Sequence, residues 1–158
     1  MDVKHITPFV LATEMVFKSM LNIDMSLKRP LLKNDKSASG DVTGVMGFVG
    51  DGEKKGMMCI SFSRKGTLFV YKTLMGDERS EIGPEVVDAI GELTNIISGQ
   101  SRKELENVGV NLTASIPTVV VGKDVELHFT CKLPIVSLPF HFSTDYGEET
   151  VYVNFSFE

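Results

Sequence analysis

The chain has 158 residues, the size of one domain that can bury its own core, and we expect residues 1–158 to form a single domain. Its net charge of −5 arises from 21 acidic and 16 basic residues without a long basic run, which argues against nucleic-acid binding. No segment approaches the roughly 18 consecutive apolar residues that cross a bilayer, and the N-terminus lacks a secretory signal. The sequence therefore predicts a cytoplasmic protein without a membrane span.

The first predicted element is a helix from Thr7 to about Ile23. Thr7 is a typical N-cap residue, and Pro8 suits the first helical position because its missing N–H would have no partner there. Apolar residues at helical spacing form one broad stripe: Phe9, Val10, Val16, Phe17, Met20 and Leu21. A polar connection that includes residues 33–40 follows this helix.

Two strands are predicted next, over residues 42–49 and 57–62, with a glycine-rich turn between them. The glycine-rich segment of residues 40–52 matches neither of the common phosphate-binding patterns. It indicates close backbone packing or bulges within paired strands.

A second helix is predicted from Arg64 to Met75. Ser63 is its candidate N-cap, and Gly76 is well placed to end it because glycine readily adopts the left-handed conformation. One side of this helix is predicted to be apolar, through Leu68, Tyr71, Leu74 and Met75.

The third predicted helix is introduced by Pro84 and runs from about Glu85 to Ser98. Two lengths are consistent with the sequence, one that ends at Ser98 and a longer one that continues beyond Gly99. At about 100° per residue, its apolar residues form one stripe that must face the sheet: Val86, Ile90, Leu93 and Ile97. Three polar residues, Asp88, Glu92 and Asn95, cluster on the opposite, outward face.

Two glycines, Gly91 and Gly99, flank this outward face, and each costs the helix roughly 1 kcal/mol relative to alanine. Their small size would let the backbone of a binding partner come close, so both are candidate partner-binding residues. The alternative is an ordinary solvated helix face. The same E-x-x-N spacing recurs at residues 104–107, so spacing alone does not decide between the two interpretations.

The last third of the chain is rich in predicted strands, over residues 110–121, 125–133, 135–143 and 150–157. Short turns between them favour antiparallel pairing, because parallel pairing needs a longer crossover. The predicted fold class is α+β, with a mostly antiparallel sheet and helices packed on one face. The final strand, over residues 150–157, is a long alternating run, and we expect it to be an exposed edge that invites pairing with another copy.

Other chemistry-bearing residues do not form a recognisable pattern. The three histidines, His5, His128 and His141, lack the spacing of metal ligands, and no metal site is predicted. The two cysteines, Cys59 and Cys131, lie in strand-like runs and are expected to be buried free thiols.

The pattern Asp88-x-x-x-Glu92-x-x-Asn95, followed by Pro117, resembles the signature of the CheC/CheX/FliY phosphatase family. The string ELTNIISGQ at residues 92–100 is similar to CheX members in particular. A single copy of the pattern also fits CheX, because resemblance to CheC or FliY would usually bring two.

The resemblance implies the CheC-like fold and hydrolysis of the aspartyl phosphate of a CheY-type response regulator. By this resemblance, Asn95 would hold the attacking water, Glu92 would pair with the receiver lysine, and Asp88 would make a further docking contact or favour the helix dipole. Mg²⁺ would come from the active site of the response regulator, with no cofactor in this chain. The resemblance also implies a homodimer built through sheet edges.

Two alternatives to catalysis come with the same resemblance. One is a non-catalytic interaction module of the type found in the middle domain of the flagellar switch protein FliM. The other is a scaffold that binds a receiver domain without hydrolysing its phosphate. The pair Glu92 and Asn95 favours the phosphatase.

Overall fold

The computed structural model describes residues 2–158 and contains three helices and eight strands within that range. In chain order the elements are α1 (Val3–Leu21), β1 (Ser26–Leu27), β2 (Leu31–Lys33), β3 (Val42–Gly50), β4 (Lys55–Phe62), α2 (Arg64–Met75), α3 (Pro84–Glu106), β5 (Leu112–Ala114), β6 (Thr118–Val121), β7 (Ile135–Thr144) and β8 (Gly147–Phe157). Among residues 2–158, none of the three helices combines the length and the hydropathy of a transmembrane span.

The strands form one sheet in the order β1-β7-β8-β4-β3-β5, with β2 also beside β7 and β6 also beside β3. Every strand pair in the described chain is antiparallel. In the centre, Ile60 of β4 lies opposite both Gly44 of β3 and Val153 of β8. The short strands β1 and β2 had no counterpart among the sequence predictions.

Alternation along the strands separates an apolar face from a polar one. The apolar face carries residues such as Met46, Ile60 and Val153, all fully buried, and the helices cover it. Helix α1 packs across the sheet through Phe9, whose ring stacks on Phe155 with centroids 3.8 Å apart. The predicted α+β fold with helices on one face is therefore confirmed.

Helix α1 begins earlier than predicted, at Val3 rather than after Thr7. Asp2 caps it by accepting a hydrogen bond from the Lys4 backbone, and the Thr7 hydroxyl instead donates to the Val3 carbonyl at 3.1 Å. Pro8 lies inside the helix, where it removes one backbone hydrogen bond but is itself buried. The prediction was wrong because a second capping residue lies upstream and burial of the proline ring offsets the lost bond.

Helix α2 has the predicted bounds and caps. Ser63 accepts a hydrogen bond from the Gly66 backbone at 2.9 Å, and Gly76 ends the helix with a φ of 69°. Its buried side is centred on Val70 and Tyr71, whereas Met75 is exposed, so the predicted apolar side was displaced by part of a turn.

The predicted strand of residues 110–121 is divided in two. Strands β5 and β6 both pair with β3, and residues 115–117 between them belong to neither strand. Residues of helix α3 and Pro117 line one depression at this interruption.

The strand predicted over residues 125–133 is absent. Leu127 and Phe129 of this segment instead lie beside Cys59 and Asn154 on the polar face of the sheet. It contacts the connection after β2 through a single bridge between Ser37 and Glu126. Backbone hydrogen bonds from Ala38 to Val125 and from Leu127 to Lys36 hold the two segments together. The apolar residues alternate in this segment because one side of it packs on the sheet, although the segment is not one of the strands.

The C-terminal strand β8 is central, with β4 on one side and β7 on the other. The prediction that its edge is exposed for pairing with another copy was wrong. The open edges of the sheet lie at β1 and β2 and, on the far side, at β5 and β6.

Both cysteines are free, but only Cys59 is fully buried and Cys131 is half-buried. Burial raises the pKa of the Cys59 thiol to about 12. The expectation of two free thiols is confirmed, and the expectation that both are buried holds for Cys59 alone.

Candidate functional site

Helix α3 is the element that presents the predicted site. Gly83 is its N-cap, Pro84 occupies the first turn, and Glu85 and Lys103 place opposite charges at the ends favoured by the helix dipole. The helix continues without interruption through Gly99 to Glu106, so the longer of the two predicted forms is observed.

The predicted stripe of Val86, Ile90, Leu93 and Ile97 is buried. Thr94 of the helix lies directly over Gly44 of β3. A Cβ atom on Gly44 would lie 1.9 Å from the Thr94 hydroxyl oxygen and 2.8 Å from its Cβ, so only glycine fits. Close packing against Thr94 therefore accounts for glycine at position 44 of the glycine-rich segment, as predicted. The same contact sets the distance between α3 and the sheet immediately beside Asn95.

Asp88, Glu92 and Asn95 are all exposed and point away from the sheet, which confirms the predicted outward face. Neither carboxylate takes part in any ion pair of residues 2–158. The face thus offers two carboxylates that accept hydrogen bonds and one amide that both donates and accepts them.

A shallow depression of about 440 Å³ lies beside this face, between α3 and β6. Its lining residues are Val87, Asp88, Gly91, Glu92, Pro117 and Val119. Four of the residues singled out in the sequence therefore meet in one place, while Asn95 lies just outside the lining.

Gly91 does not lie on the outward face, because it is buried beside β6. A Cβ atom added to Gly91 would meet the Val119 side chain at 3.5 Å, an ordinary contact distance. Its missing side chain opens the floor of the depression. Gly99 is half-buried and lies outside the depression, and its role in partner binding stays a prediction.

Pro117 reaches the site because the ladder is interrupted between β5 and β6. Ser115 holds this interruption by accepting a hydrogen bond from the Gly47 backbone at 3.0 Å. The chain then rejoins β3 with Val119 opposite Gly44. The sequence carried the signal for Pro117 only through the family pattern, and no signal placed Val87 or Val119 at the site.

The second E-x-x-N copy has different surroundings. Glu104 is half-buried and accepts a hydrogen bond from Gln100 at 2.9 Å, while Asn107 is the C-cap of α3. The side chain of Asn107 also donates to Glu104 at 3.4 Å. The side chains of the second copy are therefore engaged with each other and with Gln100 at the C-terminal end of α3.

Other chemistry is sparse. Residues 2–158 contain no group of three or more His, Cys, Asp or Glu side chains placed to hold a metal ion. The raised pKa of Cys59 keeps its thiol protonated at neutral pH, which makes it a poor nucleophile.

The model of the family described as chemotaxis phosphatase CheX matches residues 42–141, which is more than half of the chain and includes α3 and Pro117. The chain belongs to the CheX family.

Comparisons with individual proteins agree with this assignment. The chain is 27% identical over 139 residues to the CheY-P phosphatase CheX of Thermotoga maritima, covering 85% of this chain and 88% of that protein. A CheC-like superfamily protein from Shewanella sp. PV-4 is 34% identical, covers 100% of this chain and 99% of its own, and superposes with a TM-score of 0.88. CheX in the CheX-CheY-BeF3-Mg²⁺ complex from Borrelia burgdorferi shares the fold at 24% identity, with a TM-score of 0.79 and coverage of 98% and 97%.

Proposed function

We propose that this protein hydrolyses the aspartyl phosphate of a CheY-type response regulator. The observation that carries the proposal is the exposed face of α3, where Glu92 and Asn95 stand one turn apart and neither side chain is buried. Support also comes from membership of the CheX family and from the relative in Thermotoga maritima, which is named a CheY-P phosphatase.

Asn95 acts by position rather than by proton transfer. An aspartyl phosphate is labile, and its hydrolysis needs a water molecule in line with the scissile bond and compensation of charge on the phosphoryl oxygens. The Asn95 amide has no basic group at neutral pH, so its contribution is to hold that water through hydrogen bonds. An exposed amide on a rigid helix can enter the cleft of a receiver domain without rearrangement of the fold.

Glu92 sets the register of docking. Its carboxylate pairs with the lysine of the receiver active site, and this charge-assisted bond strengthens as docking excludes water. Because Glu92 precedes Asn95 by three residues on the same helix, fixing one side chain also aligns the other. Gly99, one turn beyond Asn95, leaves room for the receiver backbone.

Mg²⁺ in this proposal belongs to the receiver domain, where it compensates charge on the phosphoryl oxygens. The outward face of α3 contributes an amide and carboxylates at the edge of that site and holds no cofactor of its own.

The decisive experiment compares Asn95→Ala with the wild type in an assay of phosphate loss from phosphorylated CheY-type receiver domains. We expect Asn95→Ala to abolish accelerated dephosphorylation while its binding and unfolding remain close to those of the wild type. Asn107→Ala is the matched control, because Asn107 occupies the same place in the second E-x-x-N copy of the same helix. Equal rates for Asn95→Ala and the wild type would contradict the assignment.

We also propose that the protein acts in the cytoplasm as a homodimer joined through a sheet edge. The open edges support this arrangement, since β5 and β6 on one side and β1 and β2 on the other have unpaired backbone groups available.

A further inference from the structure

The depression between α3 and β6 combines an apolar floor with an acidic rim. Val87, Val119 and Pro117 supply apolar walls, and Gly91 leaves space at the bottom. Asp88 and Glu92 stand four residues apart on α3 and both border the opening. The depression is continuous with the Glu92–Asn95 face, so a partner that docks on that face also covers it.

We propose that this depression is a specificity slot for one lysine or arginine side chain on the surface of the receiver domain, next to its phosphorylation site. The residue is distinct from the active-site lysine that pairs with Glu92. Its aliphatic stem lies on Val87, Val119 and Pro117, and its cationic end contacts Asp88. This inference rests on the proposed phosphatase function and names the feature that selects among regulators.

The charge of the rim determines the kind of occupant. An apolar side chain would bury the carboxylates beside it without a partner, which is unfavourable, and an acidic side chain would be repelled. Long basic side chains combine an apolar stem with a charged end, and they commonly lie along apolar surface with the charge directed outward. The slot offers those two environments side by side.

Asp88 has the position expected of a contact residue. It is the fifth residue of α3, beyond the first turn in which a carboxylate interacts favourably with the helix dipole. It is exposed and forms none of the ion pairs of the described chain. The charge of Asp88 therefore contributes little to the folded chain alone and is available to a partner.

Gly91→Ala tests the slot without damaging the fold. The added methyl group meets Val119 at 3.5 Å, an ordinary contact, and alanine favours the helix more than glycine does. The thermal midpoint should therefore stay equal or rise. The half-saturation for the phosphorylated receiver should rise about tenfold, the change expected if roughly two methylene groups remain in water, with the maximal rate unchanged.

Two controls separate the slot from general effects. Thr73→Ala on the exposed side of α2 raises helix propensity far from the depression and should leave half-saturation unchanged. Asp88→Asn should raise half-saturation, whereas Glu106→Gln removes an exposed carboxylate from the same helix outside the slot and should not.

The occupant is identified by a double-mutant cycle with the receiver. Each lysine and arginine around the receiver phosphorylation site is replaced by alanine and tested against wild type and Gly91→Ala. One of these receiver variants should weaken engagement by wild type while adding little to Gly91→Ala, because both changes remove the same contact.

The outcomes distinguish the slot from the phosphatase function. If wild type is active and Asn95→Ala is inactive, but Gly91→Ala keeps the half-saturation of wild type, the slot is refuted and the phosphatase stands. If wild type accelerates no phosphate loss, the function fails, and the slot is read from binding of beryllofluoride-activated receivers instead. Weaker binding of these receivers by Gly91→Ala than by wild type then supports the slot. Equal binding by the two proteins overturns it, and so does a wild type that binds none of these receivers.

Discussion

The substitution Gly44→Ala should lift helix α3 from the sheet. The new Cβ would lie 1.9 Å from the Thr94 hydroxyl oxygen, 2.8 Å from the Thr94 Cβ and 2.9 Å from its methyl carbon. Rotation of the Thr94 side chain cannot relieve all three contacts. Ordinary contact begins at 3.4 Å, so the helix and strand must separate by up to about 1.5 Å, the difference between that distance and the shortest of the three.

The magnitude follows from overpacking of a dense interior. Thr94 is 1% exposed and its hydroxyl donates to the Ile90 carbonyl at 2.7 Å, so the space around it offers no room for movement. Inserting one methyl group into such a contact costs about 1–3 kcal/mol of unfolding free energy. Because Asn95 follows Thr94 directly, the same displacement should also lower phosphatase activity.

Urea denaturation measures the loss of stability, and the double variant Gly44→Ala/Thr94→Ala checks its origin. Removing the Thr94 hydroxyl and methyl groups eliminates the 1.9 Å and 2.9 Å contacts but leaves the 2.8 Å contact with its Cβ, so part of the lost stability should return. An unchanged denaturation midpoint for Gly44→Ala would refute the close approach of α3 and β3. Equal losses in the single and double variants would show that Thr94 is not the obstructing side chain.

Three further predictions concern docking, thiol chemistry and assembly. Glu92→Ala should raise the half-saturation for the phosphorylated receiver about tenfold or more, because a charge-assisted bond is lost. The control variant Glu106→Ala should leave the half-saturation unchanged. An unchanged half-saturation for Glu92→Ala would count against pairing of Glu92 with the receiver lysine. Because burial raises the pKa of the Cys59 thiol and removes it from solvent, a thiol reagent should label Cys131 alone in the native protein and both cysteines in urea. Rapid native labelling of the Cys131→Ser variant would contradict this. Sedimentation should show a dimer at micromolar concentration. Because one edge forms the interface, proline should dissociate the dimer when placed in one of the two edge strands, β2 or β6, and should leave it intact in the other. A wild-type monomer would exclude the dimer.

The sequence alone determined the features that depend on near neighbours. The bounds of α2 followed from Ser63 and Gly76, because a side-chain cap and a left-handed glycine act within one helical turn. The outward position of Glu92 and Asn95 followed from helical periodicity, since the buried stripe of α3 fixes the rotation of every other side chain on that helix. The fold class followed from the same periodicities summed along the chain.

Long-range contacts decided the remainder. Alternating apolar residues predicted strands both at the C-terminus and over residues 125–133. The C-terminal segment is a strand, the interior strand β8, whereas residues 125–133 form no strand and cover the polar face of the sheet. Periodicity reports which side of a segment is buried and carries no information about its neighbours, and strand order is therefore set by tertiary packing.

The candidate site divides in the same way. Glu92, Asn95 and the outward face were predictable from α3 itself, whereas the depression required the sheet. Gly91 and Pro117 are 26 positions apart in the sequence, and they meet only because the ladder breaks at residues 115–117 and β6 returns beside α3. The sequence determined which side chains face outward on the helix, and the tertiary structure decided which surface lies beside them.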